Sequence, residues 1–82
     1  MMYYDVKSVV PKEDYSLVVE FGDGMRKRFD MMPYLERGGV FSKLKDRKYF
    51  LRAHVGRGTV VWDEILDIAP ETLYNKGVCI PE

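Results

Sequence analysis

The stretch from Leu17 to Leu35, LVVEFGDGMRKRFDMMPYL, constrains the fold more than any other part of the chain. Tyr15, Leu17, Val19 and Phe21 alternate with Ser16, Val18 and Glu20, a period of two that puts the bulkier apolar side chains on one face of a strand. Gly22-Asp23-Gly24 can supply the positive φ angles of a tight turn, and Asp-Gly between two strand-like runs signals a hairpin. Met25 to Phe29 returns as the partner strand. Strict alternation puts Lys27 on the apolar face beside Met25, which a bulge near the turn or a lysine stem snorkelling to the sheet margin accommodates. Arg26 and Arg28 share the opposite face, with Glu20 across the hairpin.

Elements on either side follow from the same rules. Tyr3 to Val10 alternates as a leading strand that Pro11 ends, since proline donates no ladder bond. Asp30 stands before Met31-Met32-Pro33-Tyr34-Leu35 as the N-cap of a short helix, which Gly38-Gly39 stops. A second short helix is expected over Val40 to Asp46. Tyr49 to Val55 alternates again, with Tyr49, Leu51, Ala53 and Val55 facing the core; Gly56-Arg57-Gly58 turns the chain, and Thr59 to Trp62 returns. Asp63-Glu64 interrupts the pattern, Ile65, Leu66 and Ile68 supply apolar anchors, and Pro70 opens a last helical turn closed by Gly77.

These elements predict an α+β fold in a single domain over 1–82, with an antiparallel sheet of about five strands (a leading strand and two hairpins) and short helices from Met31 to Leu44 packed on one face. Residues 75–82 are expected to be a peripheral tail. At 82 residues there is room for one core, and the 46% apolar and 32% charged content is that of a folded chain. The opening MMYYDVKSVV has no basic region followed by an apolar run, and no window approaches the roughly 18 uninterrupted apolar residues of a membrane span. With a single cysteine excluding an internal disulfide, a cytoplasmic protein with no membrane partner is expected.

Net charge is zero, but residues 1–24 carry two positive and five negative charges, residues 25–58 ten and three, and residues 59–82 one and five. Either the segments neighbour one another and compensate, or the middle one forms a basic face for an acidic partner or a phosphate backbone.

Catalytic chemistry finds little support. His54, the only histidine, sits on the outer face of an expected strand without a nucleophile elbow, and Cys79 has no partner cysteine, so it reads as an inert packing thiol. Asp63 and Glu64 are adjacent on an extended segment and point to opposite faces, so they do not converge as an acid/base pair; solvation or ion pairing with Arg52 and Arg57 is the expected use. One histidine and one cysteine make no transition-metal site, and neither Gly-x-Gly turn has the context of a phosphate loop. No catalytic, cofactor-binding or metal-ligating residue is therefore assigned, and no small-molecule substrate is evident. Lys and Arg residues of 25–58, interleaved with Tyr49 and Phe50, suit a nucleic-acid surface, although the pI near 6.6 lies well below that of typical binders.

The series Phe21-Gly-Asp-Gly24, Arg28-Phe29-Asp30, Pro33-Tyr34-Leu35, Gly39-Val40-Phe41, Gly58-Thr59-Val60, Trp62 and Asp67-Ile68-x-Pro70-Glu71-Thr72-Leu73-Tyr74 resembles the small bacterial family called domain of unknown function 2442, over about Val6 to Tyr74. The resemblance implies a compact α+β domain, free-standing or followed by a DNA-binding helix-turn-helix, sometimes encoded beside another small protein in toxin–antitoxin-like pairs. It implies no catalytic residue, and with the sequence ending at Glu82 no helix-turn-helix is expected. The expectation is a non-enzymatic protein-interaction module, antitoxin-like or regulatory, whose partner is another small protein or a second copy; nucleic-acid binding through 25–58 is the alternative. The candidate surface comprises Arg26, Arg28, Arg52, Arg57, Trp62, Asp63 and Glu64, with the irregular segment after Trp62 its best part.

Overall fold

Alternation in the central hairpin is realised as expected. In the computed structural model, which describes residues 5–80, strand β2 (Ser16–Phe21) buries Leu17, Val19 and Phe21, and pairs antiparallel with β3 (Arg26–Asp30) in the register Leu17↔Phe29 and Glu20↔Arg26. Phe21 and Met25 close a three-residue loop in which Gly24 has φ +88°. The Asp23 carboxylate accepts the Met25 N–H at 2.9 Å and the Tyr74 hydroxyl at 2.6 Å, tying the hairpin tip to the last helix. Lys27 snorkels: its ammonium sits over the Tyr74 ring at 3.8 Å and donates to the Tyr74 carbonyl.

Strand β1 (Val6–Pro11) pairs with β2, with a register shift between Val6 and Ser8, so the expected leading strand is present; residues 3 and 4 of the expected span lie outside the described residues. After β3, α1 (Met32–Arg37) starts one residue later than expected. Met31 holds the cap position, while the Asp30 carboxylate accepts the Met32 N–H at 3.0 Å from just outside the helix. A 3-10 helix over Gly39–Lys45 follows.

The largest departure comes next. Residues 47–50, expected to lead into and begin a strand, form helix α2 (Arg47–Phe50), because the Asp46 side chain accepts the Lys48 N–H at 3.1 Å and caps a turn there. Phe50 is consequently fully buried, while Leu51 and Val55, expected to face the core, are exposed. The second hairpin shrinks to β4 (His54–Gly56) and β5 (Thr59–Val61), joined by Arg57 and Gly58 with φ +54° and +77°, the paired positive angles of a type I′ turn. A strand not foreseen, β6 (Asp67–Ile68), joins β5, and after α3 (Pro70–Lys76) the expected tail continues as β7 (Val78–Cys79) along β3, with Ile80 N–H donating to Arg26 O at 2.9 Å.

The antiparallel α+β class therefore holds, but the strands divide into two sheets, β1-β2-β3-β7 and β4-β5-β6. The two sheets meet where Val6 N–H donates to Gly58 O at 3.0 Å. Their shared core takes Leu17, Phe21 and Phe29 from the first sheet, Val60 and Ile68 from the second, and Met31, Leu44, Phe50 and Leu73 from the helical segments and their flanks. Trp62 lies in this core at 1% exposure and donates its indole N–H to Phe50 O at 2.9 Å. Tyr15, at an unusual φ of +66°, stacks edge-on against Phe50 at 5.1 Å and donates its hydroxyl to Lys45 O.

A Cβ at Gly24 would meet no atom within 4 Å, so replacement there acts on the backbone alone. Gly24→Val is expected to lower the unfolding free energy by about 1–2 kcal/mol, the cost of left-handed backbone for an L-residue, measured by urea denaturation. Unchanged stability would mean that the turn does not hold the hairpin in register.

Candidate functional site

A projecting tip and a sheet-edge concavity combine charge with apolar groups, as does a second concavity of about 350 Å³ between Tyr15, Met32, Leu35, Glu36 and Lys45. The first is the connection between β5 and β6. Trp62 is pulled inward by its own burial, and the next side chain, Asp63, builds the loop around itself. One oxygen, Oδ1, accepts the Ile65 N–H at 2.9 Å and the Leu66 N–H at 2.7 Å. The other accepts the Tyr49 hydroxyl and the Lys43 ammonium, the latter at 3.2 Å. Trp62 N–H donates to Leu66 O at 2.9 Å and closes the loop. These bonds, led by that from Tyr49, hold the Asp63 carboxyl well below the usual carboxylate range, and the carboxylate in turn raises the pKa of Lys43.

The consequence is a tip held by the hydrogen bonds of Asp63. Leu66 is buried, Glu64 is exposed, and Ile65 is 87% exposed, the most exposed of the large apolar side chains among the described residues. Ile65 is thus not the core anchor that composition suggests: the two N–H bonds to Asp63 turn it outward.

The second feature is a concavity of about 320 Å³ at the edge of the first sheet. It opens because β7 starts opposite Arg28, leaving Phe29 and Asp30 of β3 without a strand on that side. Arg28, Arg37 and Lys76 bring three cations to it against the single carboxylate of Asp30, with Tyr34 and Val78 among its apolar walls. Arg28 is also held by Asp14 at 3.0 Å, and Arg37 lies 5.2 Å from the Tyr34 ring centre. Ser16 Oγ at 2.6 Å, then Arg28, lower the pKa of Asp14 to about 2.

The seven residues expected to form one surface do not do so. Trp62 is removed from it altogether, because its indole is interior and its N–H is satisfied by the main chain. Arg26 and Arg28 project from the outer side of β3, and Arg28 borders the concavity. Arg57 sits in the β4–β5 turn and pairs with Asp67 at 3.3 Å rather than with Asp63 or Glu64. Arg52 lies 5.2 Å from the Tyr49 ring centre, beside the hydroxyl that holds Asp63. Asp63 and Glu64 remain, the first as the builder of the tip and the second as part of it. Ile65, Tyr34, Arg37 and Lys76 are new to the site.

Charge segregation along the chain is compensated in part. Arg28, Lys43 and Arg57 of the basic middle segment pair with Asp14, Asp63 and Asp67 of the acidic flanks. His54 is exposed with Nδ1 3.0 Å from Arg52 O, and Cys79, expected as a packing thiol, is exposed on β7 because that strand lies at the sheet edge. Among the described residues no three His, Cys, Asp or Glu side chains are grouped to hold a metal ion, and no helix is long and apolar enough to cross a membrane.

Asp14 and Asp63 both ionise more easily in the fold than in the unfolded chain. Their contribution is thus complete above the ordinary carboxylate value of 3.8 and is lost as pH falls towards and below about 2. Asp63→Asn is expected to flatten the acid limb of a plot of melting temperature against pH below pH ~4, and an unaltered limb would show that the tip carboxylate is not linked to folding.

No curated protein and no solved structure matches the chain significantly. A family model described as protein of unknown function DUF2442 matches residues 6–78, from the first residue of β1 to the first of β7. The match takes in both sheets, all the helices, the tip and the concavity, and the chain belongs to the DUF2442 family.

Proposed function

We propose that this chain is a non-enzymatic protein-interaction module that uses the Glu64–Ile65 tip as its contact element, engaging a small protein in an antitoxin-like or regulatory role. The observation that carries this reading is Ile65, 87% exposed on a loop held by two main-chain N–H bonds to the Asp63 carboxylate and one main-chain bond from Trp62 N–H to Leu66 O. A flexible loop could fold such a side chain inward; here, outward presentation is built in, so little ordering entropy opposes docking. A non-enzymatic role is supported by how the acidic carboxylates are used. Asp14, Asp23 and Asp63 all have lowered pKa values because each accepts hydrogen bonds that hold a turn or hairpin, which suits structural anchors rather than proton-transfer groups. The natural first partner to test is the product of the neighbouring gene, co-expressed with tagged protein. Ile65→Asp is expected to weaken capture by ~10-fold or more, as for loss of a central apolar anchor, with the melting temperature unchanged. Capture undiminished by this substitution would overturn the role of the tip.

A second reading, nucleic-acid binding, is favoured by one observation: Lys45, Arg47, Lys48 and Arg52 are exposed on the segment from the 3-10 helix to the turn after α2, with Arg47 5.1 Å from the Tyr15 ring centre and Arg52 beside that of Tyr49. It predicts steeply salt-dependent retention on immobilised DNA that falls with Lys45→Glu/Lys48→Glu. Passage through the column at low salt would dismiss it.

A further inference from the structure

The tip and the concavity are opposite in character and come from different parts of the fold. The tip belongs to the β5–β6 connection and offers an apolar side chain next to a carboxylate. The concavity lies between β3, α1 and the end of α3, and offers apolar walls next to cations. Ile65 does not fill the concavity of its own molecule, since it is 87% exposed. We infer that the two are halves of one contact: the Glu64–Ile65 tip of one copy docks into the concavity of a second copy of this chain.

This inference rests on the reading of the tip as a contact element and names its occupant. Three observations favour a second copy. First, the charges match: the tip presents Glu64, while the concavity holds Arg28, Arg37 and Lys76 against one carboxylate, Asp30. Arg28 is already engaged by Asp14, which leaves Arg37 and Lys76 as the cations to meet Glu64. Secondly, the apolar parts match. A concavity of about 320 Å³ bordered by Phe29, Tyr34 and Val78 is large enough for a branched aliphatic side chain, and Val78 is itself 71% exposed and would be covered by it. Thirdly, the formal net charge of the whole chain is zero, so two copies approach without net repulsion.

The sheet edge adds a main-chain component. Arg26 O is bonded to Ile80 N–H on the β7 side, so alternation along β3 turns the main-chain groups of Arg26, Arg28 and Asp30 the same way. Asp30 lies beyond the start of β7, and its main-chain groups face the concavity in position to meet the backbone of an incoming loop.

Sedimentation equilibrium of the full chain tests the inference. The mass of the wild-type protein is expected to rise above 9.6 kDa with concentration, with a dissociation constant in about the micromolar-to-millimolar range for one apolar anchor and its ion pairs. Raising salt from about 0.05 M to about 0.5 M should weaken association. Ile65→Asp, Glu64→Lys and Arg37→Glu/Lys76→Glu should each weaken it ~10-fold or more while leaving the melting temperature unchanged, and combining Glu64→Lys with Arg37→Glu/Lys76→Glu should restore it. A wild-type mass that stays monomeric up to ~1 mM, association unaffected by Ile65→Asp, or no rescue by the combined reversal would each overturn the inference. If the wild type is monomeric but Ile65→Asp still abolishes capture of the neighbouring gene product, the tip stands as a contact element and only its occupant is wrong.

Discussion

Burial of Trp62 is the constraint on which the second half of the structure depends. A buried indole must place its N–H, since an unmet donor in the core costs about 1–3 kcal/mol, and here it donates to the carbonyl of Phe50 at 2.9 Å. That bond joins the end of α2 to the strand side of the second sheet, and the two rings lie 6.1 Å apart. Phe50 in turn receives the edge of Tyr15 from the turn before β2. One line of aromatic contacts therefore runs from the first sheet through α2 to the second. With Trp62 fixed inward, Asp63 begins the loop at a defined point, and its carboxylate organises the tip that follows.

The charges serve this arrangement more than they decorate it. Exposed ion pairs such as Arg28–Asp14 and Arg57–Asp67 contribute little stability, on the order of 0–1 kcal/mol each. Their effect is local: Asp14 also accepts from Ser16 N–H and Oγ at the start of β2, and Arg57 steadies Asp67 at the start of β6.

Legibility in the sequence followed the range of the forces involved. The β2–β3 hairpin was readable because its strand period and its Gly-Asp-Gly turn are local properties, and both appear as expected. The helix starting near Pro33 and the one starting at Pro70 were readable for the same reason. Residues 49–52 were misread as strand because Tyr49, Leu51 and Ala53 alternate well, while the competing signal, Asp46 capping a helical turn, is a single side chain. Strand β7 was missed because Val78–Cys79 has no pattern of its own; it is a strand only because the edge of β3 is there to receive it. For the candidate site, Glu64 and Arg28 were accessible to sequence reasoning. Arg37 and Lys76 were not, since they lie 39 residues apart on separate helices and meet only at the concavity.

Sequence alone thus determined the class of fold, the central hairpin and its turn, and the family, because these depend on side-chain period, backbone freedom at glycine and short motifs that act within a few residues. Tertiary structure decided which apolar side chains are core and which are surface. Trp62 and Ile65 stand three positions apart in a similar local setting, yet one is enclosed and the other projects, at 1% and 87% exposure. The difference lies in partners contributed from elsewhere: the Phe50 carbonyl draws the indole inward, and Tyr49 and Lys43 hold the Asp63 carboxylate that turns the isoleucine out.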